Sequence, residues 1–235
     1  MISVCIATYN GEEYLKEQLD SILSQLSKND EIVISDDHST DNTIQIIRSY
    51  SDDRIRVILN ERGKGYVSNF ENALLNAKGD FVFLSDQDDI WLNNKVKYCM
   101  EQLVYYDFIV SDAILIDKFN NTIDKSYFKK RRVYNTLAGN IFKFGYLGCC
   151  MAFRKEILNK ALPFPQNHQY CLHDNWLFLI AKAYYRTKIS NEKLIKYRRH
   201  DNNTSNGGFS NSTSFIFKIT YRCYLLFYLL KRFMR

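Results

Sequence analysis

The sequence predicts an α/β fold, a mostly parallel sheet flanked by helices. Two observations carry that expectation. Through the first half of the chain, short apolar runs alternate with apolar residues at helical spacing. Three of those runs, the first, second and fourth, end in polar clusters: Thr8-Tyr9-Asn10, Asp36-Asp37 and Asp86-Gln-Asp-Asp89. Ligands of open parallel sheets bind outside the carboxyl ends of the strands, so the three clusters are expected along one edge.

The elements follow in order. Residues 2–7 are a short apolar run. Asn10 is placed to cap the next helix, with Glu13 at the capping-box position. Leu15, Leu19, Ile22, Leu23 and Leu26 then form a helical face. Residues 31–35 are a second strand, and Ser39 is placed to cap a helix carrying Ile44, Ile47 and Tyr50. Residues 55–59 are a third strand. Val67, Phe70, Ala73, Leu74 and Ala77 share a helical face that stops at Lys78-Gly79. Residues 81–84 are the fourth strand.

The second half is less regular. Residues 96–105 read as a helix and 108–116 as a strand. Residues 118–140 are polar and basic, with no assignment. Residues 145–153 read as a strand in which Gly148 allows close backbone approach. Residues 173–185 read as a helix, 194–197 as a short strand, and 202–214 as a loop of Asn, Ser, Thr and Gly. No internal repeat is visible.

Composition narrows the class. The 235 residues are 46% hydrophobic, enough for a substantial core and too apolar for disorder. The six Cys, at 5, 99, 149, 150, 171 and 223, form no CxxC pair, which argues against a zinc site. The start, Met-Ile-Ser-Val, shows no leader, and scattered thiols favour a reducing compartment. The net charge is +6, with a basic stretch at Lys125, Lys129, Lys130, Arg131 and Arg132 and further cations in the tail. Such a balance suits an anionic partner. No nucleic-acid-binding motif is present, so a nucleic-acid partner is not expected.

Four clusters carry candidate chemistry. Carboxylates gathered where an apolar strand emerges are costly unless something positive sits among them. At Asp86, Asp88 and Asp89 a divalent cation is the expected occupant, because hard cations prefer carboxylate oxygens. The plainer alternative is a solvated turn capping the helix after Trp91. Asp36-Asp37-His-Ser-Thr-Asp41 is either a set of helix caps or, at a strand end, an acceptor for ribose hydroxyls or a base edge. There is no GxGxxG after the first strand, so the dinucleotide fingerprint is absent. His173-Asp174 at a helix start reads alone as a cap. Arg198-Arg199-His200 reads alone as a polar strand end, although an imidazole can ligate a metal and the guanidinium groups can hold phosphate.

Taken together and in this order, the clusters resemble family 2 glycosyltransferases of the GT-A fold. The resemblance covers residues 1–205 and is strongest over the first 92. Val4-Cys-Ile-Ala-Thr8-Tyr9-Asn10 is similar to the family's nucleotide-receiving turn, and Asp36-Asp37-x-Ser39-x-Asp41-x-Thr43 to its second motif. Asp86-Gln87-Asp88 is similar to its Asp-x-Asp metal motif. Ser85-Asp-Gln-Asp-Asp-Ile-Trp91 resembles bacterial surface-polysaccharide transferases, including rhamnosyltransferase-like members. Gly148-Cys-Cys-Met151 resembles the acceptor-side strand, His173-Asp174-Asn-Trp176 the segment with the catalytic carboxylate, and Tyr197-Arg-Arg-His200-x-x-Asn203 the late His motif.

The resemblance implies roles. Asp37 would recognise the base, supported by Asp36, with Thr8, Tyr9 and Asn10 lining the pocket. Asp86 would face the ribose or donor sugar. Asp88 would bind Mg²⁺ or Mn²⁺, with His200 as a second ligand, and Arg198 or Arg199 would stabilise the leaving diphosphate. Asp89 is left to cap the following helix. Asp174 would be the general base of an inverting transfer from a nucleotide-sugar donor. The acceptor would be a glycan or a polyprenyl-diphosphate-linked glycan, as in O-antigen, capsule or other surface-polysaccharide biosynthesis. Where the wider family commonly has Glu-Asp, this chain has His173-Asp174. The late motif lacks the Gln-x-x-Arg-Trp of processive members, which argues for single-sugar transfer. A non-catalytic nucleotide- or glycan-binding module of the same fold is the alternative.

The expected organisation is a 1–205 domain, with a nucleotide-sugar half at 1–117 and an acceptor half at 118–205, followed by a linker and amphipathic basic helix at 206–235. The uncharged run at 223–230 is too short to span a bilayer. Either the helix packs on the domain or it lies on a membrane surface. The resemblance favours the second, with the protein cytoplasmic and peripheral at the inner face of the cell membrane.

Overall fold

The computed structural model describes residues 1–201, 203 and 214–234. Strands β1 (Ile2–Thr8), β2 (Glu31–Asp36), β3 (Ile55–Leu59) and β4 (Phe81–Ser85) pair in parallel in the spatial order β3-β2-β1-β4. Helices α1 (Leu15–Leu23), α2 (Thr43–Ser49) and α3 (Tyr66–Asn76) are the crossovers. β2 is buried along its whole length, as expected for a strand covered on both faces, and its apolar run Ile32-Val-Ile34 has no polar alternation. The expected face of α3 is buried at Val67, Phe70, Ala73 and Leu74.

The second half adds β5 (Ile90–Trp91), α4 (Lys95–Gln102), β6 (Phe108–Asp117), β7 (Thr122–Asp124), α5 (Tyr127–Arg131) and α6 (Leu137–Phe142). After these come β8 (Met151–Arg154), α7 (Ile157–Ala161), α8 (His173–Tyr184), β9 (Thr187–Arg199) and α9 (Phe215–Phe233). The sheet continues from β4 as β8-β6-β9-β5, with β7 on β6. β8 is antiparallel to both neighbours, whereas β6 and β9 are parallel. The parallel order of the first half therefore becomes mixed in the second. Because β8 runs backwards, its start lies beside the carboxyl end of β4. β6 and β9 run with β4, so their carboxyl ends reach the same edge.

One core joins the halves. Phe108 of β6 stacks on Phe153 of β8 at 5.6 Å between ring centroids and meets Phe178 of α8 edge-on at 6.1 Å. In α8, residues 175–181 are all buried, with the Trp176 indole N–H donating to the Ala161 carbonyl at 2.8 Å.

Several local expectations change. α1 begins at Leu15, too late for an Asn10 cap. Asn10 instead takes a left-handed conformation, φ 47°, and its side-chain oxygen accepts the Thr40 N–H at 2.8 Å. Ser39 does not cap α2. It donates to Asp36 at 2.6 Å and accepts the Asn10 N–H at 2.9 Å. Both polar residues fasten the two first-half turns to each other, a long-range use that local cap patterns cannot reveal. Gly79 does not end α3, which stops at Asn76. A Cβ there would stand 2.7 Å from the Ser3 nitrogen, so glycine lets the chain pass against β1.

The expected strand at 145–153 is shorter, since Gly148–Cys150 forms a 3₁₀ turn ahead of β8. The expected short strand at 194–197 is the end of β9, whose earlier part is polar because it is half exposed. The unassigned 118–140 stretch holds β7, α5 and the start of α6. Of the expected 202–214 loop, residues 202 and 204–213 lie outside the described residues.

Candidate functional site

The sheet's carboxyl edge bears a cavity of about 740 Å³. Register fixes its floor. Thr8 stands beside Asp36, and Ile6 beside Ser85, so Tyr9 and Asp37 leave neighbouring strands at one level and Asp86 leaves at the level of Ala7. Thr8, Tyr9, Asp37, Asp86, Asp88 and Asp174 all line the cavity. Residues far apart in sequence therefore converge as the topology requires.

The first end of the cavity is held rigidly. The Gln87 side chain clamps the Tyr9 backbone, accepting its N–H at 2.9 Å and donating to its carbonyl at 3.1 Å. A Cβ on Gly11 would stand 2.5 Å from the Gln87 oxygen, so glycine makes room for the clamp. Asp37 accepts from the Asn60 amide and the Gly65 N–H, each at 2.8 Å. Asp36 lies behind the wall, buried, accepting from Thr8 and from the N–H and hydroxyl of Ser39. Asn10 likewise lies outside the lining and supports the turn.

The acidic turn divides its carboxylates among different partners. Asp88 Oδ2 is 2.9 Å from His200 Nε2 and accepts the Asn203 amide at 3.0 Å. The other ring nitrogen, His200 Nδ1, is buried without a partner among the described residues. Asp86, Asp89 and Cys149 form a second group whose ligand atoms lie within 4.8 Å of one another. Asp89 is fully buried and accepts the Arg198 backbone N–H at 2.9 Å, while its Oδ2 has no partner among the described residues. Asp89 therefore does not cap α4, which starts at Lys95. Burial, with Asp88 and Asp86 nearby, pushes its carboxyl well above the usual carboxylate range.

Arg198 also departs from expectation. Its guanidinium is buried and off the cavity wall, bonded to Glu17 at 2.6 Å and Asn120 at 2.5 Å, and stands 4.7 Å above the Tyr14 ring. Its Nε donates to the Asp88 carbonyl at 2.7 Å. Arg198 thus braces the acidic turn from outside the cavity lining. Arg199 ends β9 half-buried, 5.9 Å from the ring of Tyr197, which does line the cavity.

At the opposite end, α8 presents His173 and Asp174. Burial pushes the Asp174 carboxyl up to about 7. Asp86 is likewise raised to about 7, by burial first and then by Asp88 and Asp174. His173 stacks on Phe70 at 4.1 Å, and burial lowers it to about 3, so its ring is neutral. A Cβ on Gly148 would stand 2.8 Å from His173 Nε2 and 3.3 Å from the Asp174 Cβ. Gly148 is therefore the position at which the 3₁₀ turn touches α8.

The sequence reading had no assigned site role for His38, Lys64, Gly65, Tyr66, Asn69, Phe70, Leu147 or Leu172, all on the wall. The available signal was Gly63-Lys-Gly65, two glycines at φ 103° and 107° flanking the one Lys or Arg of the wall among the described residues. Cys149 fell within the acceptor-side motif but had no assigned role beside Asp86 and Asp89.

The donor set fits a hard divalent cation, with Asp86 and Asp88 on the wall and the His200 imidazole against Asp88 just behind it. Asp86, Asp88 and Asp174 on one cavity wall would repel a diphosphate without such a counter-charge.

The chain matches the family described as Glycosyl transferase family 2 over residues 3–162. It is 31% identical over 216 residues to the dTDP-rhamnosyl transferase RfbG of Shigella flexneri, covering 84% of this chain and 72% of that protein. It is 29% identical over 217 residues to WfaP of Escherichia coli, a UDP-Glc:alpha-D-GlcNAc-diphosphoundecaprenol beta-1,3-glucosyltransferase, covering 87% and 80%. Among solved structures, Staphylococcus aureus TarS 1–349 superposes with a TM-score of 0.66 at 25% identity, covering 84% of this chain and 60% of that one. The form in complex with UDP-GlcNAc gives 0.68 at 22%, covering 90% and 62%. The chain thus spans about 60% of these solved chains. The GT-A architecture and the match over 3–162 place this chain in glycosyl transferase family 2.

Proposed function

We propose that the protein is an inverting, metal-dependent glycosyltransferase that moves one hexosyl or deoxyhexosyl unit from a nucleotide-diphosphate sugar. The acceptor is a glycan or a polyprenyl-diphosphate-linked glycan of a surface polysaccharide such as O-antigen or capsule. One observation carries the reading: Asp86, Asp88 and Asp174 face one cavity from β4 and α8, and the Asp174 carboxyl is raised to about 7. A carboxylate of that basicity is suited to proton removal near neutral pH.

In this reading Asp37 and the Thr8-Tyr9 backbone hold the nucleotide, with Asn10 and Asp36 fixing their turn and Lys64 at the same end. Asp86 receives a ribose or sugar hydroxyl. Asp88 and His200 would hold Mg²⁺ or Mn²⁺, which would supply positive charge for the departing diphosphate. Asp174 takes the proton of the acceptor hydroxyl as its oxygen bonds to the anomeric carbon. The bond from that carbon to the diphosphate oxygen breaks, and the nucleotide diphosphate leaves with its electron pair. Attack opposite the leaving group inverts the carbon. Arg199, beside Tyr197 of the cavity wall, would add positive charge for the departing diphosphate, while Arg198 keeps the acidic turn in place. The 1–117 segment is the donor half and 118–205 the acceptor half. A lipid-linked acceptor sets the working place at the inner face of the cell membrane, with the helix of the 206–235 segment at its surface.

The test is a donor panel (UDP-, dTDP- and GDP-sugars) with Mn²⁺ or Mg²⁺ and undecaprenyl-diphosphate-linked acceptors. Transfer that needs the metal and disappears in Asp174→Asn, with nucleotide binding retained, supports the reading. Nucleotide binding without turnover across the panel would make the chain a binding module.

A further inference from the structure

The outward face of α9 has no partner among the described residues, and its chemistry is specific. Ile216, Ile219, Leu226, Phe227, Leu230 and Phe233 fall within one arc of the helix at 3.6 residues per turn and form one exposed stripe. Ile216, Phe227, Leu230 and Phe233 are 61–76% exposed, well beyond scattered surface apolar residues. Lys218, Arg222 and Lys231 are partly or fully exposed on the helix, Arg232 is buried against Pro163 and Trp176, and the helix carries no acidic residue. No helix among the described residues is long and apolar enough to cross a membrane.

The inward face is firmly tied to the domain. Tyr184 OH donates to the Leu229 carbonyl at 2.6 Å, and Tyr224 OH accepts the Asn167 N–H at 3.0 Å. The Asn175 amide donates to Tyr221 OH, one residue after Asp174. The outward stripe is therefore held on a fixed helix, and that helix touches the segment bearing the proposed base. Next to it, Phe142 of α6 is 68% exposed, with the Arg222 guanidinium 4.9 Å above its ring and donating to its carbonyl at 2.8 Å.

We propose that this face, the α9 stripe with Phe142, docks on the surface of an anionic lipid bilayer. Docking deepens the proposed function, because it would hold the Asp174 end of the cavity next to a lipid-linked acceptor. The charge pattern selects the occupant. Cations around an apolar stripe match an interface in which acyl chains lie beneath anionic headgroups. A two-fold pairing of α9 with a second copy would instead bring like-charged helices together. The tie between Tyr221 and Asn175 makes the docked element and the catalytic segment one rigid unit.

The test is flotation of the full chain with phosphatidylcholine vesicles, with and without phosphatidylglycerol. The expected result is binding to anionic vesicles that weakens with salt and with neutral lipid. The exposed triple variant Leu226→Glu/Phe227→Glu/Leu230→Glu should bind at least about tenfold less, since each change removes apolar area and adds repulsion. Its thermal shift with UDP and Mn²⁺ should match the parent, which shows that it folds. Absence of flotation, or flotation unchanged in the triple variant, overturns the proposal. So does sedimentation showing a dimer that the triple variant converts to monomer without loss of flotation. Flotation uses no nucleotide: a failed flotation with an intact thermal shift from UDP, dTDP or GDP removes only the docking, and intact flotation with no shift from any of the three removes only the transferase reading.

Discussion

Replacing Asp174 by Asn separates the two consequences of a desolvated carboxylate. The folded protein holds this proton up to about pH 7, whereas an unburied aspartate carboxyl loses it near 3.8. That difference corresponds to about 4 kcal/mol, by which ionisation disfavours the folded state above pH 7. The sign follows from proton counts. Between pH 4 and 7 the folded state binds more protons than the unfolded one, so this site's contribution to stability falls as pH rises through that window. Below pH 4 both states are protonated and the contribution is constant. Asn has no proton to lose, and it also removes a charge that raises Asp86.

Because the carboxyl faces an open cavity, about half of the 4 kcal/mol is expected to appear. That gives Asp174→Asn a melting-temperature gain of roughly 4–8 °C at pH 8, fading to nothing near pH 4. Turnover should fall about 10²–10⁴-fold, the usual contribution of a general base. Differential scanning fluorimetry across pH and a transfer assay at pH 8 check both. Turnover within about threefold of the parent would refute the base assignment. A melting gain that is the same at pH 4 and pH 8 would refute the desolvation argument.

Three further outcomes are expected. The parent's transfer rate should decline as pH drops below about 7, because protonated Asp174 cannot accept the acceptor proton; a flat pH–rate profile from 5 to 8 would count against it. Gly148→Ala should cut turnover while sparing nucleotide affinity, because the added Cβ meets His173 Nε2 at 2.8 Å and Asp174 Cβ at 3.3 Å, away from the Asp37 end. Calorimetry with UDP alongside the transfer assay separates the two effects. Arg198→Met should lower stability by about 2 kcal/mol through loss of charged hydrogen bonds to Glu17, Asn120 and the Asp88 carbonyl, a melting drop of roughly 4–8 °C. It should also weaken Mn²⁺ binding by Asp88, measured by isothermal titration.

The first half of the fold was legible because its signals are local. Apolar runs such as Ile32-Val-Ile34 fit only strands covered on both faces, and each crossover helix shows its buried face at 3.6-residue spacing. The carboxyl-edge rule then placed Asp37 and Asp86 together before any coordinate. Asp174 and His200 needed motif resemblance, since a His-Asp pair at a helix start and a His at a strand end read alone as caps.

What the sequence alone determined about this protein is the class of fold and the edge of the sheet at which its chemistry gathers. Only the tertiary structure decided how neighbours in one motif divide their work. Asp88 turns to His200 while Asp89, the next residue, turns inward to the Arg198 backbone. Arg198 turns to Glu17, 181 residues away, while Arg199 ends the strand beside Tyr197. For Arg198 and Arg199 the physical reason is that adjacent side chains of a strand point to opposite sides, and for Asp88 and Asp89 it is the turn between β4 and β5. Which side holds water, ligand or a buried partner depends on strands such as β8 and β9, whose direction and register arise from contacts distant in the chain.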